Sequence, residues 1–145
     1  MSTVARSASA PDVLTLAVAS RQRGVDFLLS HIAGDGAVAD TGGGRVTWYR
    51  LPWSLAVSGE TETAFRVLSW IERTGLSAEG QFHGGMVWDN VANQTTNTYP
   101  ETILAYGAWL LRRPDVANRA MSFACRISGS GHQQYLDDQG APRSG

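Results

Sequence analysis

Three arginines, Arg23, Arg66 and Arg119, each stand four positions before an aromatic residue: Phe27, Trp70 and Phe123. The intervals between the arginines are 43 and 53 residues. Recurrence on that scale marks a helical repeat, in which each unit buries its apolar face only by stacking on a neighbour. The apolar positions run in phase with it. Ala64, Val67, Leu68 and Ile71 have the i, i+3, i+4, i+7 spacing of one helical face, and Ala117, Ala120, Met121 and Ala124 repeat it. Val25 and Leu28 hold the corresponding places upstream, and Leu29 and Ile32 extend the stripe. Each copy reads as an amphipathic helix with one buried stripe. Side chains at i and i+4 are surface neighbours, so each guanidinium is expected to lie against its aromatic ring.

Between the copies lie helices of another kind. Tyr49 to Val57 has Pro52 in its first turn and little polar surface, and Glu101 to Leu111 is apolar nearly all round. Helices of that type are buried, whereas the arginine-bearing ones keep a wet face. The alternation predicts an all-α array of hairpins, an inner layer wrapped by an outer one, with Tyr49 and Tyr99 at the same end of parallel inner helices. The first helix opens at Pro11-Asp12, runs to Ile32 and stops at Gly34. Gly24 inside it costs about 1 kcal/mol relative to Ala, which a close helix–helix contact would explain. The Gly-rich run Asp35 to Val46 lacks the Gly-x-x-x-x-Gly-Lys-Ser/Thr of a phosphate cradle and reads as a flexible connection.

Arg23-Gly24-x-x-Phe27-Leu28 followed by Gly36-x-Val38, and Arg66-x-x-x-Trp70-Ile71 followed by Gly80-Gln81-Phe82, resemble degenerate copies of the QW motif of terpenoid cyclases. That motif runs basic-Gly-x-x-aromatic-aliphatic, then Gln, then Gly-x-Trp. Ile32 stands where the Gln would be and Val38 where the Trp would be, and the copy from Arg119 to Ala124 has no Gly-x-aromatic tail. The resemblance covers roughly residues 20–126. It implies the terpenoid cyclase/prenyltransferase α/α toroid, and with it the binding or cyclisation of an isoprenoid-like, largely apolar small molecule.

A closed ring of six such hairpins needs about 290 residues, so 145 residues make about half a ring. The expected organisation is a disordered leader over 1–11, a partial toroid over 12–126 and a polar, irregular tail over 127–145. Such a chain is a fragment, or it completes its core as a homo-oligomer. Its charge is balanced, −1 overall and scattered, which points away from nucleic acid. The longest apolar run, Ile103 to Leu111, is too short to span a bilayer. Cys125 is the only cysteine and falls beside an apolar stripe, so it is expected to be a buried small hydrophobe in a reducing cytoplasm.

Candidate chemistry gathers where loops meet the inner helices. Trp48, Tyr49, Arg50, Trp53, His83, Trp88 and Tyr99 would form an aromatic wall for substrate, with Asp89 and Glu101 as the catalytic carboxylates. Aromatic faces and carboxylates both stabilise a developing carbocation. The same wall would serve a sugar-like ligand in a glycoside hydrolase or epimerase, and a non-catalytic helical repeat would use the residues for packing alone. Asp137-Asp138 lacks the first Asp of an Asp-x-Asp-Asp proton donor and reads as a solvated turn. His31, His83 and His132 have no metal-ligand spacing, and no metal or cofactor is expected.

Overall fold

The computed structural model describes residues 12–39, 48–82 and 98–128. Among them are five α-helices: α1 (Val13–Leu29), α2 (Leu51–Val57), α3 (Thr61–Thr74), α4 (Tyr99–Leu110) and α5 (Pro114–Ser128). A one-turn 3-10 helix, Trp48–Arg50, leads into α2. The described residues are thus mostly helical, as the sequence pattern predicts. No helix among them is long and apolar enough to cross a membrane.

Residues up to Ser30 form one unit and those from His31 another. In the first, Asp12 caps α1 by accepting a hydrogen bond from the Leu14 N–H at 2.9 Å. The helix ends at Leu29 rather than Ile32, because the chain turns at Ser30 into a tight loop. A Cβ on Gly24 would meet nothing within 4 Å, so no close helix–helix contact accounts for that glycine. Of the expected stripe, Val25 is buried and Leu28 and Leu29 are half-buried.

The second unit is a pair of stacked hairpins. Helix α2 packs on α3, α4 packs on α5, and the pairs meet through α2 and α4. Gly107 permits that meeting: a Cβ there would lie 2.8 Å from the Trp53 nitrogen and 3.2 Å from the Pro52 Cβ. The hairpins turn alike. Gly59 and Arg112, 53 residues apart, are both left-handed, with φ of 89° and 56°. The buried stripes follow the sequence pattern closely. Ala64, Val67, Leu68 and Ile71 are fully buried on α3, as are Val116, Ala117 and Ala120 on α5, where Phe123 and Ala124 are nearly so. Met121, expected in that stripe, is only half-buried, and Cys125 is exposed rather than buried.

The glycine tails of the repeat connect one copy to the next. After α1, Ala33 N–H bonds the Ala37 carbonyl at 2.8 Å and Gly36 N–H the Ala33 carbonyl at 3.0 Å. After α3, Ser77 bonds Gln81 at 2.8 Å and Gly80 bonds Ser77 at 3.1 Å, the same turn 44 residues later. Gly36 has φ +89° and Gly80 φ +93°, a region that any Cβ penalises. Their surroundings are as restrictive. A Cβ on Gly36 would overlap the Arg66 carbonyl oxygen, and one on Gly80 that of Arg119. Each turn therefore sits directly on the backbone of the next arginine-bearing helix. The described part of the expected flexible connection, up to Ala39, is this ordered turn.

The Arg66 and Arg119 side chains do not follow the expected pairing. Arg66 binds Glu62 at 2.7 Å and the Thr63 hydroxyl at 3.0 Å rather than capping Trp70. Trp70 instead meets Trp48 edge-on, with ring centroids 4.7 Å apart. Arg119 binds Glu72 at 2.9 Å, while Phe123 is covered by Arg126. Glu72 also binds Arg113 at 2.7 Å, so one carboxylate of α3 holds two guanidiniums, one from α5 and one from the turn just before it. Charge-assisted bonds to a carboxylate exceed an exposed cation–π contact, and that ordering explains the outcome.

Candidate functional site

The starts of the two apolar helices lie together. The Tyr49 and Tyr99 rings meet edge-on at 6.0 Å, and further along Trp53 meets Tyr106 at 6.3 Å. Start against start and middle against middle means that α2 and α4 run side by side in the same direction. That juxtaposition is the one expected from the two tyrosines.

Glu101 occupies the first turn of α4, but its carboxyl points into the protein and is only 3% exposed. One oxygen, Oε1, accepts the Phe82 N–H at 3.0 Å. The other has no hydrogen-bond partner among the described residues. Burial pushes its pKa from 4.5 to about 7, against the opposing pull of the N–H groups of Phe82 and of Glu101 itself. The Phe82 ring packs edge-on against Tyr49 at 5.9 Å, and Tyr49 is fully buried. Burial raises the phenol of Tyr49 as well, partly offset by Arg50 beside it. Glu101 thus ties the Gly80 turn to the start of α4, beneath a layer of tyrosine and phenylalanine.

Arg50 ends the 3-10 helix. Its guanidinium carbon lies 5.4 Å from the ring centroids of both Tyr49 and Tyr99, and Nη2 donates to the Tyr99 hydroxyl at 3.5 Å. Trp48 is half-buried and its ring meets Trp70, whereas Trp53 is exposed on α2. His83, Trp88 and Asp89 lie outside the described residues. Among the described residues no group of three or more His, Cys, Asp or Glu side chains converges.

Sequence reasoning missed the outward face of this layer. Helix α4 was expected to be buried all round. It buries Glu101, Leu104, Ala105, Gly107 and Ala108 and leaves Tyr99, Tyr106, Trp109 and Leu110 open. Trp53 and Val57 of α2 are open too, and these six side chains are 38% to 60% exposed. The spacing of the α4 residues, i, i+7, i+10 and i+11, puts them along one stripe. That spacing is visible in the sequence; the partial exposure of the stripe is not.

Comparison of the chain with protein-family models, with curated proteins and with solved structures finds no match.

Proposed function

We propose that this chain is a partial toroid of the terpenoid-cyclase type that binds an isoprenoid-like, largely apolar small molecule along α2 and α4. The observation that carries the reading is the exposed stripe of Trp53, Val57, Tyr106, Trp109 and Leu110 on parallel helices. Aromatic rings supply large, rigid contact area at low entropic cost, and an apolar chain laid on them removes both surfaces from water. A sugar-like ligand is less well served, since no Asp or Glu lies among these positions. Glu101, neutral below about pH 7, stands in the first turn of α4, two residues after Tyr99. Its interior position suits it to holding the Gly80 turn more than to protonating a ligand on the open face.

Titration with farnesol, followed by tryptophan fluorescence, tests the reading. The intact chain should bind it in preference to a linear oligosaccharide. A Trp53→Ala/Tyr106→Ala variant that keeps its helical circular dichroism should bind at least tenfold more weakly, about 1.4 kcal/mol. Equal binding by the variant, or preference for the sugar, would overturn the reading.

A second reading has its own observation. Val13, Leu14, Leu16, Val18 and Phe27 of α1 are all more than half exposed, as expected of an array that completes itself with another copy. Sedimentation equilibrium across a dilution series should then show a dimer; a monomer throughout would remove this second reading and leave ligand binding standing.

A further inference from the structure

Arg50 differs from the other well-placed arginines in what it lacks. Arg66, Arg113 and Arg119 each have a carboxylate within 2.9 Å. Arg50 faces two tyrosine rings, interacts with the Tyr49 hydroxyl and makes a long contact to that of Tyr99, and it has no carboxylate among the described residues. Its Nε is buried without an acceptor, as are those of Arg66 and Arg119, but theirs belong to guanidiniums already paired through their Nη groups. A cation held between two rings, partly open to solvent and with no carboxylate among the described residues, sits at the head of an exposed apolar stripe.

We infer that the ligand carries a carboxylate, bound by Arg50 and the Tyr99 hydroxyl, with its apolar chain running along Trp53 and Tyr106. This rests on the proposed binding of an apolar molecule to α2 and α4, and it adds the chemistry of the head group. A guanidinium presents parallel N–H donors that match the two oxygens of a carboxylate, and the Tyr99 proton is available as a further donor. The charge count selects the head. One guanidinium balances one negative charge, whereas a diphosphate would bring several into a cluster with a single cation. The geometry selects the tail. Tyr99 and Tyr106 are seven residues apart on one face, a separation of about 10 Å along the helix. A linear apolar chain leaving Arg50 therefore crosses the Trp53–Tyr106 pair.

Three ligands that share one tail separate the possibilities at pH 7.5: farnesoic acid, farnesol and farnesyl diphosphate. The acid should bind the intact chain at least tenfold more tightly than the alcohol and more tightly than the diphosphate. In Arg50→Gln the advantage of the acid over the alcohol should vanish, and Arg50→Lys should retain part of it. Acid and alcohol binding equally to the intact chain would overturn the head-group assignment and leave the apolar reading standing. Tightest binding of the diphosphate would overturn the choice of carboxylate. No binding of any of the three would overturn both.

Discussion

Replacing Glu101 by Gln should remove a specific pH dependence from the stability of the fold. Glu101 is 3% exposed and its pKa is raised from 4.5 to about 7 by burial. Below about pH 4.5 the carboxyl is protonated in both folded and unfolded chains, and it makes no difference to their balance. Between 4.5 and 7 the unfolded chain releases the proton and the folded chain keeps it, so stability falls as pH rises, by about 1.4 kcal/mol per unit. Above 7 the loss levels off at about 3 kcal/mol. Glutamine keeps an oxygen for the Phe82 N–H and cannot ionise. Urea unfolding followed by circular dichroism at pH 5 and pH 8 measures the effect in both proteins. The natural chain should lose up to about 3 kcal/mol between those values relative to Glu101→Gln, and the variant should be the more stable at pH 8. An identical pH dependence in both would refute the reasoning, because it would mean that Glu101 ionises in the folded chain at no cost.

The docked turns make a second prediction. Gly80→Ala should cost more than the 1–2 kcal/mol of a left-handed backbone alone, roughly, because its Cβ would overlap the Arg119 carbonyl. Gly59→Ala should cost only the backbone part, since a Cβ there meets nothing within 4 Å; chemical denaturation that finds the two equal would contradict the docking. Glu72→Gln should lose about 1–3 kcal/mol, since two half-buried guanidiniums lose one shared charged acceptor. An unchanged urea midpoint would show that the bridge between α3 and α5 contributes nothing.

What could be read from the sequence was the part carried by periodicity. The stripes of α3 and α5 and the shared start of α2 and α4 follow from residue spacing, which local helix geometry enforces. The glycine tails were visible as a pattern, but not their partners. Gly80 meets a backbone carbonyl of Arg119, and a backbone atom leaves no signature in the identity of the residue. The arginine pairing went astray for a related reason. On a helix Arg66 can reach forward to Trp70 or back to Glu62 with equal ease, and spacing alone does not rank a ring against a carboxylate. Arg119 reaches Glu72, 47 residues away, which no local pattern displays. The exposure of Tyr106 and Trp109 was hidden by composition, because an apolar helix looks the same whether its second face meets protein or water. Of the two catalytic carboxylates expected, Glu101 stands at the predicted helix start with its carboxyl turned inward, and Asp89 falls outside the described residues.

The most direct test of ligand binding along α2 and α4 is to map where an apolar ligand rests. A photoreactive, diazirine-bearing prenyl alcohol, cross-linked to the intact chain and located by mass spectrometry, reports contact independently of affinity. Labelling should concentrate on Trp53 to Val57 and on Tyr106 to Leu110 and be displaced by excess farnesol. Labelling confined to α1, α3 or α5, or insensitive to farnesol, would contradict the account.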